Sequence, residues 1–166
     1  MTRLYTGESV PKSSRRIAVT GAVDELVSDL GVCRVFLTDK SWNEVLEELQ
    51  RKLFDVGTWA ASKGSVPDFT KEDVEQLDEL LRVAEEQVTM PTGFVVPGAT
   101  VSGAFVDRAR AMSRKLERTV SHYLSFLDPL VPIDQNVEYL RVWLNRLSDL
   151  LWLLARIEEG SETILK

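Results

Sequence analysis

Ten apolar side chains fall in the fifteen positions from Leu140 to Leu154, among them Trp143, Leu147, Leu150 and Leu151. At helical spacing they cover nearly the whole circumference. A helix that is apolar all round packs on more than one side and belongs at the centre of a fold. The polar residues embedded in it, Asn145, Arg146, Ser148 and Asp149, then need partners. Asn145 and Asp149 share a face. Neighbouring helices could supply their partners, and so could a ligand.

The rest of the chain also reads as helix. A first helix is expected from about Arg16 to Phe36, with Val19, Val23, Leu26 and Leu30 on one stripe. Ser41 and Glu44 have the spacing of a capping box, and Trp42, Leu46, Leu49, Leu53 and Val56 follow. Gly64 and Pro67 end that segment. Thr70 and Asp73 repeat the capping signature, with Phe69 and Val74 placed as a hydrophobic staple. The fourth helix should begin at Thr100 or Ser102 and reach about Leu127, where Asp128-Pro129 stops it. The fifth should run from Pro132 or Ile133 to Glu159, with Gly160 after it. Phe94-Val95-Val96-Pro97 is β-branched but has no evident partner strand, so it reads as an extended, buried loop. Residues 1–15 form an irregular arm. The expected architecture is all-α: one domain over residues 1–166, an antiparallel bundle of five helices joined by short connections. Ile17 to Ala22 looks like a strand entering a glycine turn, but no G-x-G-x-x-G follows, which excludes a dinucleotide fold.

Composition removes several classes of function. Twenty Lys and Arg against twenty-six Asp and Glu give a net charge of −6, which argues against nucleic acid as a partner. One histidine, His122, and one cysteine, Cys33, leave no metal-ligand cluster and no intramolecular disulfide. Cys33 lies among apolar residues and reads as a buried, inert thiol. No stretch suits a membrane span or a signal-peptide core, so a cytoplasmic protein is expected.

The charge is unevenly placed. Arg110, Arg114 and Arg118 recur at four-residue spacing and stack along one side of a helix. Like charges so spaced disfavour the helix by a few tenths of a kcal/mol, roughly, unless anions compensate them. Acidic side chains, a neighbouring subunit or a polyphosphate would each serve, and a solvated arginine face is the plain alternative. Lys12, Arg15 and Arg16 make a second basic patch, so a small anion between the two patches fits better than a long polyanion.

Several blocks then line up in order with one family. Leu4-Tyr5-Thr6, Lys12 to Gly21 followed by Val23-Asp24-Glu25-Leu26, and Leu53 to Gly57 each resemble a family segment. Phe94 to Gly98, followed by Ala109 to Arg118, is similar to a family core of the form F-(I/V)-(L/V)-PGG…ARxxxRRxER. Tyr139 to Arg156 resembles its NRLSD…AR helix. The chain thus resembles the ATP-dependent corrinoid adenosyltransferases of the propanediol-utilisation type.

That resemblance implies a ferritin-like, five-helix bundle forming a homotrimer with active sites between subunits. The implied reaction moves the 5′-deoxyadenosyl group of ATP onto cob(I)alamin, with Mg²⁺ present and triphosphate leaving. The reduced cobalt is itself the nucleophile, so no protein nucleophile is needed. Arg114 matches the family's phosphate-binding arginine. Arg110 matches an arginine that pairs across the subunit interface with the aspartate at Asp24. Thr6, Gly7, Lys12 and Arg16 match the nucleotide loop and its basic border. Glu117 matches an acid of the arginine helix, and Asn145 the asparagine that contacts ATP. Phe94 matches the aromatic residue beneath the corrin, which displaces the lower axial ligand and leaves four-coordinate cobalt(II). From the residues alone, Phe94 reads as plain core packing. No resident metal site is implied. A corrinoid reductase or an adenosylcobalamin-dependent enzyme would be a natural partner. The chain departs from the pattern in a shorter passage from Thr6 to Lys12, and at Val27, Ala99 and Lys115. The alternative reading is a degenerate homologue that binds cobalamin or nucleotide as a chaperone or regulator.

Overall fold

The computed structural model describes residues 1–65, 68–126, 134–160 and the backbone of 163–164. Five helices carry it: α1 (Arg15–Phe36), α2 (Trp42–Ala61), α3 (Lys71–Glu85), α4 (Val101–Leu124) and α5 (Gln135–Glu159). Local chemistry sets most of their starts. Ser14 caps α1 by accepting the Arg16 N–H, and the Thr100 hydroxyl accepts the Gly103 N–H at 3.0 Å to start α4. Thr70 and Asp73 form the reciprocal capping box of α3. The box expected at Ser41 and Glu44 does not form. Ser41 already has helical dihedrals and makes no side-chain cap. Its N–H instead donates to Asp39 Oδ1 at 2.9 Å, so an Asx-type turn one step upstream takes over the capping work. The expected ends Pro67 and Asp128-Pro129, and the expected starts Pro132 and Ile133, lie outside the described residues.

One apolar core joins all five helices, with Leu26, Leu30, Leu46, Leu53, Leu116, Leu147 and Leu150 fully buried in it. α4 packs against α1 and α5, α2 lies on α1, and α3 lies on α5. Cross-helix pairs fix the directions. Asp29 meets Arg108 and Glu25 meets Lys115 between α1 and α4. Asp107 meets Arg156 and Gly103 lies against Glu159 between α4 and α5. In both pairs the helices run in opposite senses. α5 is less uniformly apolar in place than its sequence suggests. It buries Ser148, but Asn145 and Asp149 face outward and Val142 is 40% exposed.

Two segments expected to be irregular form short ladders. In the N-terminal arm, β1 (Thr2–Arg3) pairs antiparallel with β2 (Ser9–Val10). Gly7, at φ +85°, makes the turn between them in a conformation that disfavours other residues. Leu4 and Val10 of this hairpin pack on Ala61 and Ile17. The segment read as a buried loop is β3 (Val95–Val96), paired antiparallel with β4 (Thr163–Ile164). It lies at the surface, and Phe94 is 83% exposed. The partner strand comes after the last helix, where no periodicity announced it.

Candidate active site

α4 organises the predicted site residues. Its face toward α1 carries Arg108 and Lys115, both compensated by α1 carboxylates. Its other side carries the predicted row. Arg110 is 27% exposed and donates from Nε to Asp107 Oδ1 at 2.8 Å. Its terminal nitrogens have no hydrogen bond among the described residues. Arg114 and Arg118 are exposed and form no ion pair among the described residues. The row is therefore partly free to take an anion.

α5 lies along this row. Asp107 meets Arg156, and the Arg114 charge acts on Asp149, so the opposed register brings Arg118 level with Asn145. Asn145 is exposed, and its backbone carbonyl accepts the Ser148 hydroxyl at 2.9 Å. Partial burial pushes the Asp149 carboxyl up although half of its side chain stays open, while Arg146 and Arg114 pull it back. Glu117 is half-buried on α4, and Asp24 is exposed on α1. Neither has a hydrogen bond or ion pair among the described residues.

The basic arm and Phe94 stand at opposite ends of α4. Arg15 lies 3.3 Å over the Phe126 ring, just past the C-terminus of α4, which places the arm there. The Phe94 loop is held at the N-terminus of α4, since Glu159 accepts the N–H groups of Gly98 and Ala99. The arginine row covers about 12 Å in the middle of the roughly 36 Å helix between these ends. Thr6 and Gly7 form the exposed tip of the hairpin and Lys12 is exposed. Arg16 is not free. Its guanidinium binds both carboxylate oxygens of Glu8, at 2.8 and 2.9 Å, and the Ala61 carbonyl at 3.2 Å. The hydrogen bond from Arg16 holds the Glu8 carboxyl down at about 2. In this chain Arg16 fastens the arm to α1 and α2.

Other groups stand apart from this site. Burial and the nearby Asp29 charge push the Cys33 thiol up to about 12, as an inert core cysteine requires. A groove of about 1010 Å³ lies between α2 and α3, floored by Leu49, Leu77 and Trp143, and no predicted site residue lines it. No group of three or more His, Cys, Asp or Glu suited to a metal exists among the described residues. No helix among them is long and apolar enough to cross a membrane.

A family model described as cobalamin adenosyltransferase matches residues 1–158. The chain belongs to that family. It is 33% identical over 168 residues to a corrinoid adenosyltransferase of Citrobacter freundii, covering 98% of this chain and 92% of the relative. A cobalamin adenosyltransferase of Cupriavidus metallidurans is 34% identical over 163 residues, covering 94% and 81%. The chain spans about half, 47%, of the corrinoid adenosyltransferase PduO of Salmonella typhimurium, at 29% identity over 96% of this chain. A solved variant of the PduO-type ATP:corrinoid adenosyltransferase of Lactobacillus reuteri shares the fold, with a TM-score of 0.86 at 24% identity over 99% and 91% of the two chains. A second variant of that enzyme, complexed with cobalamin and ATP, gives 0.83 at 25% identity over 99% and 93%. The mostly helical fold of this chain is thus the fold of those enzymes.

The main feature that the sequence reading missed is the polar end of α5. Arg156, Glu158 and Glu159 are buried there and bind Asp107, Thr38 and the Gly98-Ala99 backbone. Two acids in the last helical turn run against the helix dipole, and that was the available signal.

Proposed function

We infer that the chain transfers the 5′-deoxyadenosyl group of ATP to cob(I)alamin, giving adenosylcobalamin and triphosphate. Cobalt(I) attacks the ribose C5′ with its electron pair. The cobalt–carbon bond forms as the C5′–oxygen bond breaks, and triphosphate leaves with that bond's electrons. The observation that carries this reading is the family match over residues 1–158 in a chain whose Arg114 and Arg118 stand exposed without an ion pair among the described residues. Their forks suit a leaving triphosphate, whose charge grows in the transition state.

In this reading Arg114 binds the triphosphate, Asn145 contacts the nucleotide, and Lys12 with Thr6 and Gly7 borders it. Glu117 supports the row from the same helix. Phe94, exposed on its loop, lies against the corrin. Arg110 uses only Nε on Asp107, and its free terminal nitrogens suit Asp24 of a second copy. The separation of the arm and Phe94 along α4 supports a site completed between copies, and a homotrimer is the arrangement we propose. Mg²⁺ would arrive on the triphosphate, because the described residues offer no carboxylate cage and such ions keep phosphate and water ligands. A reducing cytoplasm suits both cob(I)alamin and the free thiol.

One observation favours the binding-only alternative. Arg16 is already neutralised by Glu8, so the arm offers less charge to a nucleotide. Anaerobic incubation of the protein with ATP, Mg²⁺ and chemically reduced cobalamin decides between them. Adenosylcobalamin and triphosphate in equal amounts support transfer. Both ligands bound without turnover would support the alternative.

A further inference from the structure

The buried end of α5 joins the two ends of the proposed chemistry. Glu159 Oε1 accepts the backbone N–H of Gly98 at 2.9 Å and of Ala99 at 3.1 Å. Its Oε2 lies 2.9 Å from Arg156, whose same nitrogen lies 2.6 Å from Asp107 Oδ2. Asp107 Oδ1 takes Arg110 at 2.8 Å. An unbroken line of contacts therefore runs from the loop that carries Phe94 to the arginine row of α4. The side chains of Glu159, Arg156 and Asp107 are 0%, 1% and 5% exposed. Two carboxylates balance two guanidinium groups along the line.

The backbone is shaped to admit this line. A Cβ at Gly103 would collide with the Glu159 side chain, so a glycine on the first turn of α4 is what lets the carboxylate reach the loop. Apolar side chains of the same volume would hold a core as well as buried ion pairs do. What the charges add is direction, because the links at Gly98, Ala99 and Asp107 are hydrogen bonds and the Glu159–Arg156 link is a close buried ion pair.

We propose that Glu159, Arg156 and Asp107 are positioning residues that fix the Phe94 loop relative to Arg110, and so set the corrin against the nucleotide. This rests on the adenosyltransferase reading above. None of the three needs to touch either substrate. Glu158 is an internal control. It is buried beside Glu159 and carries the same charge, but it binds Thr38 and Asp39 between α1 and α2 instead of the Phe94 loop.

The test compares wild-type protein with Glu159→Gln, Gly103→Ala and Glu158→Gln. Each is given ATP and cob(II)alamin, and the four-coordinate cobalt(II) fraction is read by its spectrum. KM for ATP, kcat and thermal unfolding are measured on the same samples. Glu159→Gln keeps a carbonyl oxygen for both loop N–H groups but replaces the oxygen that faces Arg156 and so loses that link. Gly103→Ala displaces the carboxylate without removing any charge. Both should lower the four-coordinate fraction and kcat on the order of tenfold while KM for ATP holds. Glu158→Gln should leave both unchanged, even if it lowers the melting temperature. Equal losses in Glu158→Gln and Glu159→Gln would reduce the line to a structural role and overturn the proposal, as would a full four-coordinate signal in Gly103→Ala. A wild-type protein with neither signal nor turnover would instead remove the adenosyltransferase reading, and the proposal with it.

Discussion

Glu8 holds Arg16 through both carboxylate oxygens, at 2.8 and 2.9 Å, and this pair fastens the N-terminal hairpin to the helices. The hydrogen bond from Arg16 lowers the Glu8 carboxyl from 4.5 to about 2. A depressed carboxylate contributes stability that is fully present above its unfolded value and is lost as pH falls through the folded one. The contact should therefore persist at neutral pH and fade between about 4.5 and about 2. Titration of the Glu8 carboxyl carbon by NMR should give a midpoint near the lower figure. Glu8→Gln should free the hairpin at neutral pH, and a Glu8 midpoint near 4.5 would contradict the account.

Phe94→Ala separates a corrin role from core packing. The ring is 83% exposed, so its removal should change stability by no more than about 0.5 kcal/mol. Adenosylation should fall while ATP binding holds. A large loss of stability on thermal unfolding would mean that the ring is a packing element after all.

Neighbouring positions of α5 should respond very differently to truncation. Leu147 is fully buried, and Leu147→Ala should destabilise by about 2–5 kcal/mol. Asn145 is exposed, and Asn145→Ala should cost less than about 0.5 kcal/mol yet raise KM for ATP. Denaturant melts with parallel binding curves check both.

Cys33 should ignore thiol reagents at pH 8 in the folded protein, since burial pushes its thiol up to about 12. Labelling should track global unfolding in denaturant. Fast labelling of the folded protein would show an opening that the packing does not predict.

The sequence made the helices legible because their apolar stripes repeat over many turns. It also made the Thr70–Asp73 cap legible, because both partners lie within three residues. The same signature failed at Ser41, where Asp39 two residues earlier takes the N–H. The β3–β4 pair was invisible, because each strand has two residues and they lie on either side of α4 and α5. Arg118 and Asn145 come from separate motifs, and their common register emerges only once α4 and α5 are packed. Arg16 counts toward a basic patch in the sequence because its partner Glu8 lies in a segment with no period.

The central claim is that the arginine row serves the leaving triphosphate, and single-turnover adenosylation tests it most directly. Protein, ATP, Mg²⁺ and chemically reduced cobalamin are mixed without oxygen, and adenosylcobalamin is followed by absorbance in wild type and Arg114→Ala. Loss of a charge-assisted contact worth about 1.5–3 kcal/mol should slow the reaction roughly 10- to 100-fold with the fold intact. Equal rates in both proteins would contradict the account and move the triphosphate away from α4.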